Sequence, residues 1–265
     1  MQDKIYKYLL LLGDNTMVLG HRLSSLCGHG PSLETDIALT NISLDLFGQT
    51  RNYFQYAATL IKRRPASFSL GSYESLENVD GEDQIAFLRM PQEYSNVLLV
   101  EQPNTDFAYI IVRQFLFDQY HILLLNKLAQ SNDDQIAAVA NKSIKEVTYH
   151  RDFSSQWLKR LGDGTEESHQ RMQEAVNFLY PYVKELITPC NLEEDMASLG
   201  IGPDLNHLAD ELVENIAQHM AEATLKLPPL DGARFNGKVG LHSENLGYIL
   251  SELQYMQLAY PNMKW

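Results

Sequence analysis

The chain has 265 residues, 45% apolar and 21% charged, the proportions of a folded globular protein and not of a disordered chain. A formal charge of -13 and a pI near 5.0 exclude a protein that works by neutralising nucleic-acid phosphates. Two cysteines, Cys27 and Cys190, are too few and too far apart for a disulfide framework or a thiolate metal site, which points to a reducing cytoplasm.

The opening segment MQDKIYKYLLLLGDN carries a short apolar run broken by Gly13 and Asp14, so neither a signal peptide nor a membrane anchor is expected. Apolar residues recur three and four apart from there on, which predicts helices, with no convincing strand. The first helix spans about Asp3 to Leu26 and stops at Gly28-His29-Gly30-Pro31, a turn that serves either as a plain connection or as a point of contact with another chain. The second, about Leu33 to Lys62, places Leu33, Ile37, Leu44 and Phe47 on one stripe, with Pro65 closing it. Lys62, Arg63 and Arg64 at its end form the densest basic patch, read as cations near the negative pole of the helix dipole.

The segment PASFSLGSYESLENVDGEDQ reads as an exposed excursion, followed by a short helix near Asp83 to Arg89. A third long helix, capped by Asn104 and running to about Leu128, is apolar almost all round and must be buried on several sides. A fourth spans about Asp133 to Leu161, and a fifth runs from a Thr165 cap to about Ile187. A loop, TPCNLEEDMASLGIGPD, leads to a sixth capped by Asp204, which carries Leu205, Leu208, Leu212 and Ile216 and stops at Pro228-Pro229. After the loop DGARFNGKVG the last helix covers about His242 to Tyr260, and its Tyr248, Tyr255, Tyr260 and the terminal Trp265 serve as partner anchors or, for the first two, as core. Long antiparallel helices of this kind predict an all-α protein, a four-helix bundle with additional helices, forming one domain over residues 1-265.

No nucleophile elbow, P-loop, dinucleotide fingerprint, H-E-x-x-H or paired C-x-x-C is present. The chemistry that helical bundles host most readily is a carboxylate-bridged di-iron centre, built from two glutamates and two Glu-x-x-His pairs. In the fourth helix, Lys145-Glu146-Val147-Thr148-Tyr149-His150 nearly supplies one such pair: His150 is in place, but the position three residues earlier is Val147. Glu146 lies about 100° further round the helix and does not substitute for it. Asp118 and His121 form an Asp-x-x-His on the third helix, read as a hydrogen-bonded core network rather than as a metal half-site. His21, His29, His169, His207, His219 and His242 are scattered and have no company suited to a metal.

Four segments, GHRLSSLCGHGPSLETDIALTNISLDLFGQTR, LLVEQPNTDFAYIIVRQFLFDQYH, IKEVTYHRDFSSQWLKRLGDGTEESHQRMQ and GLHSENLGYILSELQYMQLAYP, resemble the C subunits of phenylacetyl-CoA epoxidases. The resemblance implies a ferritin-like fold, a cytoplasmic role in phenylacetate breakdown, and a hetero-oligomer with the catalytic A subunit and the small B subunit. It also implies that this chain holds no cofactor: iron sits in the A subunit, FAD and an iron-sulfur cluster in a separate reductase, and the complex uses NADPH and O2. Carried over from the catalytic relative, the ligand positions fall at Val147 and His150, at Asp118, and at Leu44 and Phe47, or at Asp45 and Gly48 if the second helix slides by one residue. In the first helix the equivalent falls near Asp14. The expected role is a non-catalytic structural subunit. The alternative is a self-sufficient metal-dependent oxidoreductase that uses Asp14, Asp118, His121, Glu146 and His150 in an atypical ligand set.

Overall fold

The structure is a computed structural model that describes residues 1-63, 81-230 and 236-260. Among these residues every regular element is helical and no strand forms, so the all-α class stands. The chain divides into two compact units, Met1–Val97 with Asn236–Trp265, and Leu98–Phe235.

The first unit is built on a helical hairpin of α1 (Gln2–Ser24) and α2 (Leu33–Lys62). The two helices run antiparallel, because Thr16 bonds Thr50 at 2.8 Å and Ser43 bonds the Gly20 carbonyl at 2.7 Å. Glycines on α1 make the approach close: a Cβ on Gly13 would lie 2.3 Å from the Phe54 ring, and one on Gly20 would lie 2.9 Å from Phe47. The turn between the helices is organised by Asp36, whose carboxylate accepts the Gly28 and Gly30 N–H groups at 2.9 and 3.0 Å. Gly28 has φ +83, a left-handed conformation that favours glycine. Ser32 caps α2 by accepting from the Thr35 N–H. A short α3 (Glu82–Phe87) lies on α2, held by Arg51 and Gln55 bonding Glu82, and α11 (Glu244–Ala259) returns to the same unit.

The second unit begins with a single helical turn, α4 (Leu98–Glu101), and is built on α5 (Phe107–Leu128) and α6 (Asp134–Gly162), again antiparallel. As expected for a helix without a polar face, α5 is buried almost throughout. Its cap is Asp106, which accepts from Tyr109 at 3.0 Å, and not Asn104, whose amide oxygen accepts from the buried Arg113 instead. The expected fifth helix is two: α7 (Glu166–Leu179) and α8 (Val183–Ile187), separated by a 3-10 turn at Tyr180–Tyr182 where Pro181 has no N–H to continue the ladder. Part of the expected loop after it folds as α9 (Asn191–Ser198), started by Glu193 bonding back to the Cys190 N–H at 2.9 Å. Then α10 (Asn206–Glu222) buries Leu208, Leu212, Ile216 and Met220. Asp204 precedes its cap, Leu205, but still accepts the Asn206 N–H at 3.0 Å. The last helix starts at Glu244 rather than His242, with Ser243 extended at its cap and the His242 ring bonded to the Tyr94 carbonyl at 2.9 Å.

The stripe of Leu33, Ile37, Leu44 and Phe47 does lie on one face of α2, but it is not the core face. The buried stripe is Thr35, Leu39, Ile42, Leu46, Gln49 and Tyr53. Tyr248 and Tyr255 are 66% and 62% exposed, so core packing does not account for them. Arg64, Pro65, Trp265 and most of the expected excursion lie outside the described residues.

Candidate functional site

The expected ligand positions fall on both units. In the second, α5 and α6 bring Asp118, Val147 and His150 into the buried core with no measurable exposure. One Asp118 oxygen accepts from Gln114 Nε2 at 2.7 Å and the other from the Ser154 hydroxyl at 2.8 Å. Burial pushes this carboxyl up to about 7, opposed by the His150 imidazole and the two hydrogen bonds. Burial pushes His121 down to about 3, and the neighbouring His150 adds to that, so the His121 ring is neutral. The buried seam of α6 runs through Ser143, Val147, His150 and Ser154, at spacings of four, three and four. Hydrocarbon stands where the matching carboxylate would be, and Glu146 sits half-exposed beside the seam. At the α5–α6 core the expected positions offer one carboxylate, Asp118, already engaged, and no glutamate three residues before His150.

In the first unit Asp14 is fully buried on α1, and its carboxylate is gripped by Arg89. Nη1 of Arg89 bonds Oδ2 at 2.9 Å, Nη2 bonds Oδ1, and the Ser95 N–H adds a third donor at 2.8 Å. The guanidinium also bonds the Ile85 and Glu93 carbonyls and lies 4.0 Å from the Tyr94 ring centroid. Burial by itself would make Arg89 more acidic, but the Asp14 carboxylate outweighs it and holds the guanidinium above its already high range. Beside this pair, Asn15 accepts the Val97 N–H and Gln254 of α11 donates to the Arg89 carbonyl, each within 2.8 Å. Arg89 is the residue that sequence reasoning missed; its one available signal was a lone arginine closing the apolar stretch IAFLRM.

On α2, Leu44 is exposed and Phe47 half-buried, Phe47 facing Gly20 and the His21 ring of α1. The alternative register fares no better, since Asp45 is half-buried and Gly48 exposed. The buried pairs three apart nearest these positions are Ser43 with Leu46 and Leu46 with Gln49, which supply neither a carboxylate nor an imidazole. Burial pushes His21 down to about 4, which leaves it an uncharged ring against Phe47.

The side chains at these positions therefore do not fit a carboxylate di-iron centre. Asp14 is neutralised by a guanidinium, Asp118 is tied to an amide and a hydroxyl, and aliphatic groups stand at Leu46 and Val147. Among the described residues no group of three or more His, Cys, Asp or Glu is arranged to hold a metal ion. Both cysteines are free thiols, and no helix among the described residues is long and apolar enough to cross a membrane.

Comparison with known proteins agrees with this helical scaffold. A family model described as phenylacetic acid catabolic protein matches residues 1–265. The chain is 41% identical over 263 residues to the C subunit of the 1,2-phenylacetyl-CoA epoxidase of Escherichia coli (strain K12), covering 99% of this chain and 100% of that one.

Proposed function

The chain belongs to the phenylacetic acid catabolic protein family, which is ferritin-like, and from that premise we propose that it is a non-catalytic structural subunit of a phenylacetyl-CoA epoxidase. It pairs with the catalytic A subunit, and with the small B subunit, in a cytoplasmic hetero-oligomer. Iron resides in the A subunit. FAD and an iron-sulfur cluster reside in a separate reductase, which passes electrons from NADPH to O2 chemistry at the iron. Residues 1-265 form one ferritin-like domain in this reading.

The observation that carries the proposal is the Asp14–Arg89 pair. A carboxylate that accepts two guanidinium bonds and a backbone N–H has little capacity left for a cation, and an adjacent guanidinium repels one. Val147 makes the same point in the second unit, since no aliphatic side chain coordinates iron. The self-sufficient oxidoreductase is disfavoured by the same contacts: Asp14 is engaged, Glu146 lies off the buried seam, and Asp118 has its two oxygens bonded.

The test is reconstitution. Purified A subunit, reductase, NADPH, O2 and phenylacetyl-CoA are assayed with and without this chain. Turnover that requires this chain together with the A subunit supports the proposal. Turnover by this chain and reductase without the A subunit overturns it.

A further inference from the structure

Helix α2 has two apolar seams, and among the described residues only the inner one is buried. The outer one reads Leu33, Ile37, Thr40, Leu44 and Phe47, at spacings of four, three, four and three, the repeat by which one helix packs along another. Leu33, Ile37 and Leu44 are 71%, 50% and 61% exposed. The seam is about 21 Å long, four turns of helix. Its C-terminal end opens into an apolar groove of about 290 Å³ lined by Met17, Phe47, Phe54 and Phe87. Thirteen of the sixteen exposed large apolar side chains among the described residues lie in this first unit, so apolar exposure is concentrated there rather than scattered.

The border of the seam is acidic. Glu34 and Asp36 flank its start, and Glu82 and Asp83 stand at the groove. Arg51, the cation at that end, is bonded to Glu82. A second copy of this chain would bring the same acidic border and another -13 of net charge. Like charges facing one another suppress association, whereas opposite charges steer it.

We propose that the outer seam of α2 and the adjoining groove dock a helix of a different subunit of the epoxidase. That helix carries an apolar seam of its own, with a large apolar side chain for the groove and lysine or arginine along its rim. The proposal rests on the complex-subunit reading above and adds the surface and the chemistry of its partner. The turn before α2 suits the role, since Asp36 fixes Gly28 and Gly30 and so sets the start of the seam rigidly.

The experiment titrates the full-length chain with each of the other purified epoxidase subunits. Three variants accompany the wild type: Ile37→Glu with Leu44→Glu together, Glu34→Lys, and Phe178→Glu on the second unit as an exposed control. Helical content and unfolding midpoint are measured for each, because substitutions on an exposed face should leave them unchanged. The double variant is expected to weaken the binding of one subunit by at least about tenfold, as loss of central apolar anchors does. Glu34→Lys is expected to slow association a few-fold and reduce its salt dependence, and Phe178→Glu to bind as the wild type does. Wild-type binding that the double variant leaves intact overturns the docking surface while the subunit reading stands. A wild-type chain that binds no other subunit removes the subunit reading, and this surface with it. Wild-type self-association abolished by the double variant overturns the assigned occupant, since a second copy would then fill the seam.

Discussion

Asp14 shows how one side chain's fate depends on a partner that the sequence places 75 positions away. The sequence placed Asp14 near a ligand position of the first helix; its consumption by Arg89 was not legible, because nothing local to either residue specifies the other. The pair is buried completely on both sides, which makes it strongly dependent on both members being present. Asp14→Ala should lower the unfolding free energy by about 3–5 kcal/mol, since it leaves a buried guanidinium without its counter-charge. Asp14→Leu combined with Arg89→Met should recover most of that. Guanidinium-chloride unfolding of the three proteins decides, and a loss below about 1 kcal/mol in the single variant would show that the pair does not pin this region.

Asp118 carries a pH effect of definite sign. Its folded pKa is raised to about 7 from an ordinary 3.8, chiefly by burial. The folded state therefore holds a proton that the unfolded chain releases, so this group's contribution is full below about pH 4 and is lost as pH rises through 7. Asp118→Asn keeps one acceptor, for Gln114, presents an N–H that the Ser154 hydroxyl can accept, and removes the charge. The variant should gain on the wild type steadily between pH 4 and pH 8. Stability curves of the two proteins that run parallel across this range would mean the carboxyl is not held protonated.

At the scale of elements, periodicity located the long helices well. It placed α2 at its observed bounds, Leu33 to Lys62, because Ser32, Glu34 and Asp36 mark its start. It could not decide which stripe faces inward, since Leu33, Ile37 and Leu44 are as regularly spaced and as apolar as the stripe that packs on α1. An interface seam and a core seam look alike in one sequence. Glycine usage separates them in structure: Gly13 of α1 meets Phe54 closely, whereas a Cβ on Gly48 of α2 meets nothing within 4 Å. Gly13→Ala should be destabilising, because overpacking costs about 1–3 kcal/mol and exceeds the roughly 1 kcal/mol gained in helix propensity. Gly48→Ala should be stabilising by up to about 1 kcal/mol. Calorimetry reads both as opposite shifts of Tm, and the same scans bear on the domain proposal, which expects one transition; two separated peaks would contradict it.

For the whole molecule, the all-helical class and the family were legible in the sequence, while the inward face of α2 and the Arg89 clamp were not, because both are decided by packing between segments distant in sequence. The two units share a feature that bears on function. Each contains a buried acid at or near a position where a metalloenzyme of this architecture would hold iron, and each engages that acid with protein groups: a guanidinium for Asp14, an amide and a hydroxyl for Asp118. The polar groups act as internal fastening, and the outer seam of α2 leaves apolar side chains exposed, the surface proposed for docking. On this reading catalysis belongs to the complex and architecture to this chain.

The most direct test is the iron content of the chain expressed alone in iron-replete medium, purified and dialysed, measured by elemental mass spectrometry. A structural subunit should carry far less than one iron per chain and show no absorption from an oxo-bridged pair. Two irons per chain that survive dialysis would contradict that role.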